Sequence, residues 1–346
     1  MLWIAVAMFA GVCTGSFGLP MKFTTKWKWE NTWSMWSVWT LLFVPWAIAF
    51  LTVPDLLEVY RQVSWSALGW VSLFGFIWGF SAIAFGMGID YLGLALGYSL
   101  MMGLIISVGS LLPLFTGHPE KILEQSGLTI IAGVVVIIAG VIISAISALI
   151  KQKDLAGPAD TSEADQDDSA NNKPAATRLK GVLICIVAGV TGPMLNYAFI
   201  YGDQLRAKAE ELGAGKTMAP NSIWAIALFS GFFVNIFYCM YLVKKNKVWN
   251  LFREKGTKPY YLYTLIMGIL WAGSIAIFGM ATANLGELGP SIGWAVFNAV
   301  GIAWANTLGI FTGEWKGVSK KGLWVMAAGL VVILLGVGIV GWANSL

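Results

Sequence analysis

Long apolar stretches alternate with short polar segments along nearly the whole chain. Each apolar stretch holds about twenty residues, the length that an α-helix needs to cross the hydrocarbon core of a bilayer. Backbone polar groups find no water there, so a spanning segment must be helical or part of a barrel, and a barrel would show short alternating strands. We predict an all-α integral membrane protein with ten transmembrane helices, over residues 2–20, 33–52, 68–89, 93–115, 127–150, 179–202, 221–243, 260–282, 287–312 and 322–343.

The third and fourth predicted spans are repeated in the eighth and ninth. Eight residues between positions 75 and 93 recur at a constant offset, with Trp78 returning as Trp271 and Phe85 as Phe278. An odd number of spans in each copy makes the two copies enter the membrane from opposite faces, a design typical of secondary transporters. We therefore predict two five-helix inverted-topology repeats, residues 1–150 and 179–346.

Composition and charge refine this topology. Charged residues make up 12% of the chain, against about 25% in a soluble domain, which excludes that class. Seventeen of the 22 Lys and Arg residues fall in the odd-numbered loops, so these loops are predicted to face the cytoplasm and both termini to lie outside. Residues 151–178 are polar, acidic and rich in Ala, Ser and Asn, which predicts a disordered cytoplasmic linker between the repeats.

Glycine and proline interrupt the first and sixth predicted spans at corresponding places. Gly15, Gly18 and Pro20 break the first span, and Gly192 and Pro193 break the sixth. Such paired interruptions indicate a transporter's binding site near the membrane midplane. Close helix packing through small residues explains them equally well, and the sequence leaves both interpretations open.

Several short motifs resemble those of one known family. They are Trp27-Lys28-Trp29-Glu30, Trp33-Ser34, Pro45-Trp46, Trp78-Gly79, Tyr91-Leu92-Gly93 and Glu314-Trp315. Together they make the chain similar to the bacterial L-rhamnose–proton symporter family of the drug/metabolite transporter superfamily. The resemblance implies a non-enzymatic carrier in the bacterial cytoplasmic (inner) membrane that imports a neutral deoxy-sugar by proton symport. It implies a sugar, a proton and the lipid bilayer as partners, and neither a cofactor, a metal nor a nucleic acid.

A neutral sugar needs an aromatic surface for its C–H face and hydrogen-bonding groups for its hydroxyls. Trp78 and Trp271 are the repeat-related candidates for the aromatic surface. Near the midplane, the candidates for the hydrogen bonds are Asn196, Tyr197, Asn298 and Trp294. Each of these side chains could instead serve helix packing, as could the amide of Asn235.

Proton coupling requires a titratable side chain, and no Asp, Glu or His lies at the centre of a predicted span. Glu287 is the first candidate for an outward-accessible proton site and Asp203 the second. Glu287 also fits an ordinary carboxylate at a helix start, which the helix dipole favours. Another coupling ion, or none, stays open at this stage.

Three other functions compete with sugar import. The first is export or import of another small metabolite or drug. The residues do not decide against it, and they also leave open the direction of transport and the oligomeric state. The second is a membrane-embedded enzyme, for which one histidine and three scattered cysteines supply neither a nucleophile–base pair nor a metal cluster. The third is a sensor or scaffold, which would be expected to carry an attached soluble domain.

Overall fold

A computed structural model describes residues 1–92, 94–155 and 175–346, and within these ranges the chain is helical without strands. In chain order the α-helices are α1 (Leu2–Ser16), α2 (Trp29–Ser37), α3 (Val44–Thr52), α4 (Leu56–Gln62), α5 (Trp65–Leu92), α6 (Leu94–Gly117), α7 (Gln125–Leu155), α8 (Ala175–Thr191), α9 (Met194–Tyr201), α10 (Asp203–Glu211), α11 (Asn221–Lys245), α12 (Lys258–Asn284), α13 (Gly289–Phe311) and α14 (Lys320–Ala343). Short 3₁₀ turns cover Leu19–Phe23, Pro119–Lys121 and Trp249–Arg253, and a π-helix covers Val38–Phe43.

Ten stretches of the described chain are long and apolar enough to cross a membrane, which confirms the predicted number of spans. Most are single helices, but the second is built from α2, the π-helix and α3. The sixth contains α8 and α9, separated at the predicted Gly192-Pro193 interruption. The first span, Leu2–Phe23, likewise joins α1 to the 3₁₀ turn Leu19–Phe23 at the predicted Gly18 interruption. The molecule is therefore a multi-pass membrane protein with three spans whose helical pattern is broken.

The predicted linker over residues 151–178 lies largely outside the described residues. Helix α7 extends to Leu155 and α8 begins at Ala175, so the flanking helices are longer than the apolar pattern indicates. The residues between them, 156–174, belong to the part of the prediction that falls outside the described chain.

The fold separates into two compact units. Unit 1 contains Met1–Phe80 and Met194–Gly293, and unit 2 contains Ser81–Pro193 and Trp294–Leu346. Each unit therefore draws on both halves of the chain. The arrangement of residues 1–150 and 179–346 as inverted repeats stays a prediction.

In unit 2, α7 and α14 pack along their lengths through glycines. A Cβ atom at Gly133 would lie 2.5 Å from Val340 Cγ2, and one at Gly336 would lie 2.8 Å from the backbone nitrogen of Ile137. Ser147 Oγ adds a hydrogen bond of 2.7 Å to the carbonyl of Gly322. Small residues allow this contact, which replaces the hydrophobic driving force that is missing between helices in lipid.

In unit 1, α5 and α11 cross at a similarly close contact. A Cβ atom at Gly75 would lie 2.1 Å from the carbonyl oxygen of Ala227. One at Gly231 would lie 2.9 Å from the ring of Trp78. Glycine on both helices therefore allows the two backbones to approach closely and the Trp78 ring to lie next to Gly231 of α11, and this fixes the position of Trp78.

The segment before α2 is held against the chain between α11 and α12, also in unit 1. Trp27 Nε1 donates a hydrogen bond of 2.9 Å to the Leu251 carbonyl, and Asn31 Nδ2 donates one of 3.0 Å to the Val248 carbonyl. The Trp27 ring lies edge-on to Tyr260, with centroids 5.4 Å apart. These contacts satisfy polar groups at the start of α2 and so fix where that helix begins.

Candidate functional site

Five tryptophans of unit 1 form a continuous series of ring contacts, here called the tryptophan row. On α2, Trp29 stacks on Trp33 at 5.3 Å between centroids, and Trp33 contacts Trp36 at 4.2 Å. Trp36 then meets Trp271 of α12 edge-on at 5.7 Å, and Trp271 stacks on Trp78 of α5 at 5.2 Å with planes 28° apart. The two tryptophans that the repeat singles out are therefore in direct contact.

The helical period of α2 places its three tryptophans on one face. Residues three or four positions apart are neighbours on a helix surface, and Trp29, Trp33 and Trp36 have that spacing. The π-helix Val38–Phe43 follows at once and ends just before Pro45. Proline cannot donate a backbone hydrogen bond, so an irregular turn before it is expected, and π-helical turns often occur at functional sites.

Unmatched polar atoms lie beside the Trp36–Trp271 contact. Trp36 is 2% exposed and Thr40 is fully buried. Neither Trp36 Nε1 nor Thr40 Oγ1 has a hydrogen-bond partner among the described residues. The α12 backbone comes close to this point, since a Cβ atom at Gly268 would lie 3.0 Å from Thr40 Oγ1. A buried group without a partner is rare in folded proteins and calls for an explanation.

Asn235 of α11 ties the tryptophan row to two neighbouring helices. This fully buried amide accepts a hydrogen bond of 3.2 Å from Trp33 Nε1. Its Nδ2 donates to the Gly231 carbonyl at 3.1 Å and to the Gly79 carbonyl at 3.4 Å. Asn235 therefore forms interhelical hydrogen bonds that orient Trp33, one of the two roles that an amide inside a span can have, the other being a contact with substrate.

Asn196 and Tyr197 lie on α9, directly after the break in the sixth span. Asn196 is fully buried, and its Nδ2 donates a hydrogen bond of 3.0 Å to the Pro290 carbonyl. The ring of Tyr197 lies 5.7 Å from that of Phe74, which is one helical turn before Trp78 on α5. Both predicted residues thus belong to the same unit as the tryptophan row, where α9 meets α5.

Trp294 and Asn298 lie in unit 2. Trp294 is buried, and its Nε1 donates a hydrogen bond of 2.9 Å to the Ile105 carbonyl. A Cβ atom at Gly109 would lie only 2.1 Å from that nitrogen, so the indole is packed tightly against α6. Asn298 Nδ2 donates to the Trp294 carbonyl at 2.9 Å, within its own helix. The Trp294 contacts hold α13 against α6 within unit 2, and the Asn298 bond supports α13 itself.

The two predicted proton-coupling carboxylates are at the surface of unit 1. The side chain of Asp203 is 68% exposed and forms an ion pair with Arg206, one turn along α10. Glu287 is exposed and lies just before α13. Both carboxylates are in contact with water, which an entry site for protons requires. Their exposure is also that of ordinary surface carboxylates, so it does not by itself indicate a proton site.

Comparison with known proteins identifies the family. The family model described as "L-rhamnose-proton symport protein (RhaT)" matches residues 1–345. The chain belongs to this family. Similar proteins include the L-rhamnose-proton symporters of Yersinia pestis (strain Pestoides F) and Yersinia pseudotuberculosis serotype O:3 (strain YPIII). Each is 24% identical over 347 residues, which cover 98% of this chain and 96% of the relative. The family is one of transporters, so the chain is not an enzyme, and the predicted resemblance is confirmed.

For a member of the symport family, one further residue of unit 1 draws attention. Glu30 is 6% exposed, and its Oε1 accepts a hydrogen bond of 2.7 Å from Asn246 Nδ2. The predicted second span begins at residue 33 and leaves Glu30 in a loop, whereas α2 begins at Trp29 and includes it. The sequence did offer one signal for Glu30. It is the carboxylate within the Trp27–Trp33 motif, which has more tryptophans than any other motif that carries the family resemblance.

Proposed function

We propose that the protein imports L-rhamnose together with protons, and that the sugar binds against the tryptophan row of unit 1. The family match and the names of the relatives support this substrate and this coupling ion. The observation that carries the site is the stacked pair Trp78 and Trp271, with the buried unmatched Trp36 Nε1 and Thr40 Oγ1 nearby.

The chemistry of a deoxy-sugar suits this arrangement. Its apolar C–H face can lie against an indole ring, and its hydroxyls can accept a hydrogen bond from Trp36 Nε1 or exchange one with Thr40 Oγ1. No Lys or Arg side chain is buried among the described residues, which favours a neutral sugar over a sugar phosphate. Asn196 and Tyr197 are proposed as further contacts, because the Tyr197 ring lies against Phe74 of α5 and Asn196 is its neighbour on α9.

Transport is proposed to proceed by alternating access between the two predicted repeats. The sixth span passes from one unit to the other and is interrupted at that point, at Gly192-Pro193, which supplies an irregular point of the kind that such a change requires. Discontinuous helices near the midplane are typical of secondary transporters. The proposal places the protein in a bacterial cytoplasmic membrane with both termini outside.

The substrate contact is tested by counterflow. Proteoliposomes are loaded with unlabelled L-rhamnose, and the entry of labelled L-rhamnose is measured, with L-fucose, L-lyxose and lipophilic cations in parallel. We expect rapid counterflow of L-rhamnose that Trp271→Ala abolishes. Trp324→Ala is the matched control, because that indole of α14 is 76% exposed and is not among the proposed sugar contacts. Counterflow of lipophilic cations without L-rhamnose would favour the drug or metabolite alternative and contradict the proposal.

Trp294 and Asn298 enter the same assay as separate variants. The hydrogen bond of Trp294 to the Ile105 carbonyl accounts for the burial of that indole, so Trp294→Phe tests the predicted sugar contact with little loss of packing area. Normal counterflow by Trp294→Phe and Asn298→Ala would remove both residues from the predicted sugar site.

A further inference from the structure

One buried carboxylate lies at the start of the helix that carries most of the tryptophan row. Among the Asp and Glu side chains that the structure describes, only that of Glu30 is buried. Its hydrogen-bond donor is the neutral amide of Asn246, and none of the ion pairs within the described residues includes it. The Glu30 carboxylate is therefore removed from water and held by a neutral donor, which distinguishes it from the other described carboxylates.

The carboxylates elsewhere are arranged differently. Glu254 forms an ion pair of 3.3 Å with Lys26, and Glu314 forms one of 3.1 Å with Lys151. All four side chains are partly exposed, and a fixed positive charge favours the ionised carboxylate. These pairs are therefore suited to holding loops in place rather than to binding and releasing a proton.

We propose that Glu30 binds the proton that is transported with the sugar, an inference that rests on the proposed function. The carboxylate takes up the proton that has entered with the sugar and becomes a neutral carboxylic acid, at the end of α2 that the predicted topology places on the cytoplasmic side. It then releases the proton to the cytoplasm and returns to the carboxylate. No covalent bond of the sugar changes, and no oxidant or reductant is required.

Helix α2 supplies the physical connection between this proton and the sugar. Glu30 lies one turn before Trp33, and Trp33 bonds to Asn235 of α11. Cys239, one turn further along α11, lies beside Glu30 and Ser34. The ionised carboxylate draws the Asn246 amide toward α2, whereas the neutral acid holds it less strongly. Protonation therefore changes how α2 pairs with the α11 end, and the three α2 tryptophans move with that helix.

The charged side chains that adjoin Glu30 and its donor Asn246 along the chain, Lys28 and Lys247, are exposed to solvent and form no ion pair with Glu30. The elements packed against α2 are α11, α12, the π-helix and the 3₁₀ turn Trp249–Arg253. The titratable group that faces Glu30 is the Cys239 thiol, and the Tyr261 hydroxyl is bonded elsewhere, to the Phe252 carbonyl. The cationic side chains of these elements are exposed to solvent: Lys244, Lys245, Arg253 and Lys258.

The test separates sugar exchange from proton-driven accumulation. Proteoliposomes that contain the wild type, Glu30→Gln or the surface control Glu124→Gln are assayed for L-rhamnose counterflow. They are then assayed for accumulation against an imposed pH gradient of one unit, with internal pH recorded. One proton per sugar allows up to about tenfold accumulation for that gradient. We expect Glu30→Gln to keep counterflow but to lose accumulation and sugar-dependent acidification, and Glu124→Gln to keep all three.

Each other outcome decides the question. The inference is overturned if Glu30→Gln accumulates sugar and acidifies the lumen at the wild-type level. It is also overturned if accumulation and acidification are lost only in Glu287→Gln or only in Asp203→Asn. If Glu30→Gln loses counterflow as well, Asn246→Ala decides. This variant removes the hydrogen-bond donor to the charged Glu30 carboxylate and so favours the protonated form. The pH profile of L-rhamnose uptake by Asn246→Ala must therefore move to higher pH than that of the wild type. An unmoved profile overturns the inference. A wild type without L-rhamnose counterflow contradicts the proposed function instead, whatever the Glu30 variant does.

Discussion

Alanine in place of Gly75 tests whether close helix contact positions Trp78. The added Cβ would lie 2.1 Å from the carbonyl oxygen of Ala227, and its next contacts are also backbone atoms, at 2.7 Å. Ordinary contact begins near 3.4 Å, so α5 and α11 must separate by about 1.3 Å at this point. A backbone cannot rotate aside as a side chain can, and forcing one extra methyl group into a packed site costs roughly 1–3 kcal/mol. The separation also moves Trp78 away from its stack with Trp271.

Gly69→Ala is the matched control for Gly75→Ala. Gly69 is in the same helix, and a Cβ atom there would meet no heavy atom within 4 Å. Alanine favours a helix over glycine by about 0.8–1 kcal/mol in an exposed interior position, so this variant should be as stable as the wild type or more so. Thermal unfolding in detergent and L-rhamnose counterflow are measured for both. We expect a lower unfolding midpoint and slower counterflow for Gly75→Ala alone, and equal behaviour of the two variants would refute the reasoning.

Two further predictions concern the amide of unit 1 and the membrane orientation. Asn235→Leu should lower the thermal unfolding midpoint, because it leaves the Trp33 N–H without its acceptor at a cost of about 1–3 kcal/mol. Asn306→Leu, which removes a bond within one helix only, should not, and equal losses would contradict the positioning role. In a background without the native cysteines, an impermeant maleimide should label Ser345→Cys from outside the cytoplasmic membrane and Lys255→Cys only in inverted vesicles. The opposite pattern would reverse the predicted topology.

The number and order of the spans follow from the sequence because the bilayer sets their length. Helix α11 covers Asn221–Lys245, against a prediction of 221–243, and α13 covers Gly289–Phe311, against 287–312. In both cases the apolar run ends where polar residues reach the interface, so little besides thickness decides the bounds. The break at Gly192-Pro193 was predictable for a related reason, since proline cannot continue the backbone hydrogen bonds of a helix.

The start of the second span could not be predicted in this way. Glu30 and Asn31 are polar, and the apolar pattern therefore places the start after them. Their partners, Asn246 and the Val248 carbonyl, are 216 and 217 residues away along the chain. Only the tertiary fold shows that these side chains are satisfied inside the protein, and hence that α2 begins at Trp29.

The candidate site was predictable in part. The repeat pairs Trp78 with Trp271, and the structure brings their rings into a stack, although their role in sugar binding stays a prediction. The tryptophans of α2 gave no such signal, because an interfacial aromatic belt is the favoured interpretation of tryptophans near a span end. For Trp294 the sequence predicts a contact with sugar, but the indole N–H donates a hydrogen bond to the Ile105 carbonyl. No local sequence pattern reveals that contact.

The most direct test of proton-coupled sugar import is the internal pH of wild-type proteoliposomes after L-rhamnose is added outside. The lumen carries a pH-sensitive dye, no ion gradient is imposed, and the membrane potential is clamped with potassium and valinomycin. Symport predicts that the lumen acidifies as the sugar enters, that a protonophore abolishes the signal, and that a sugar outside the substrate panel gives none. L-rhamnose entry without a change in internal pH would contradict the account.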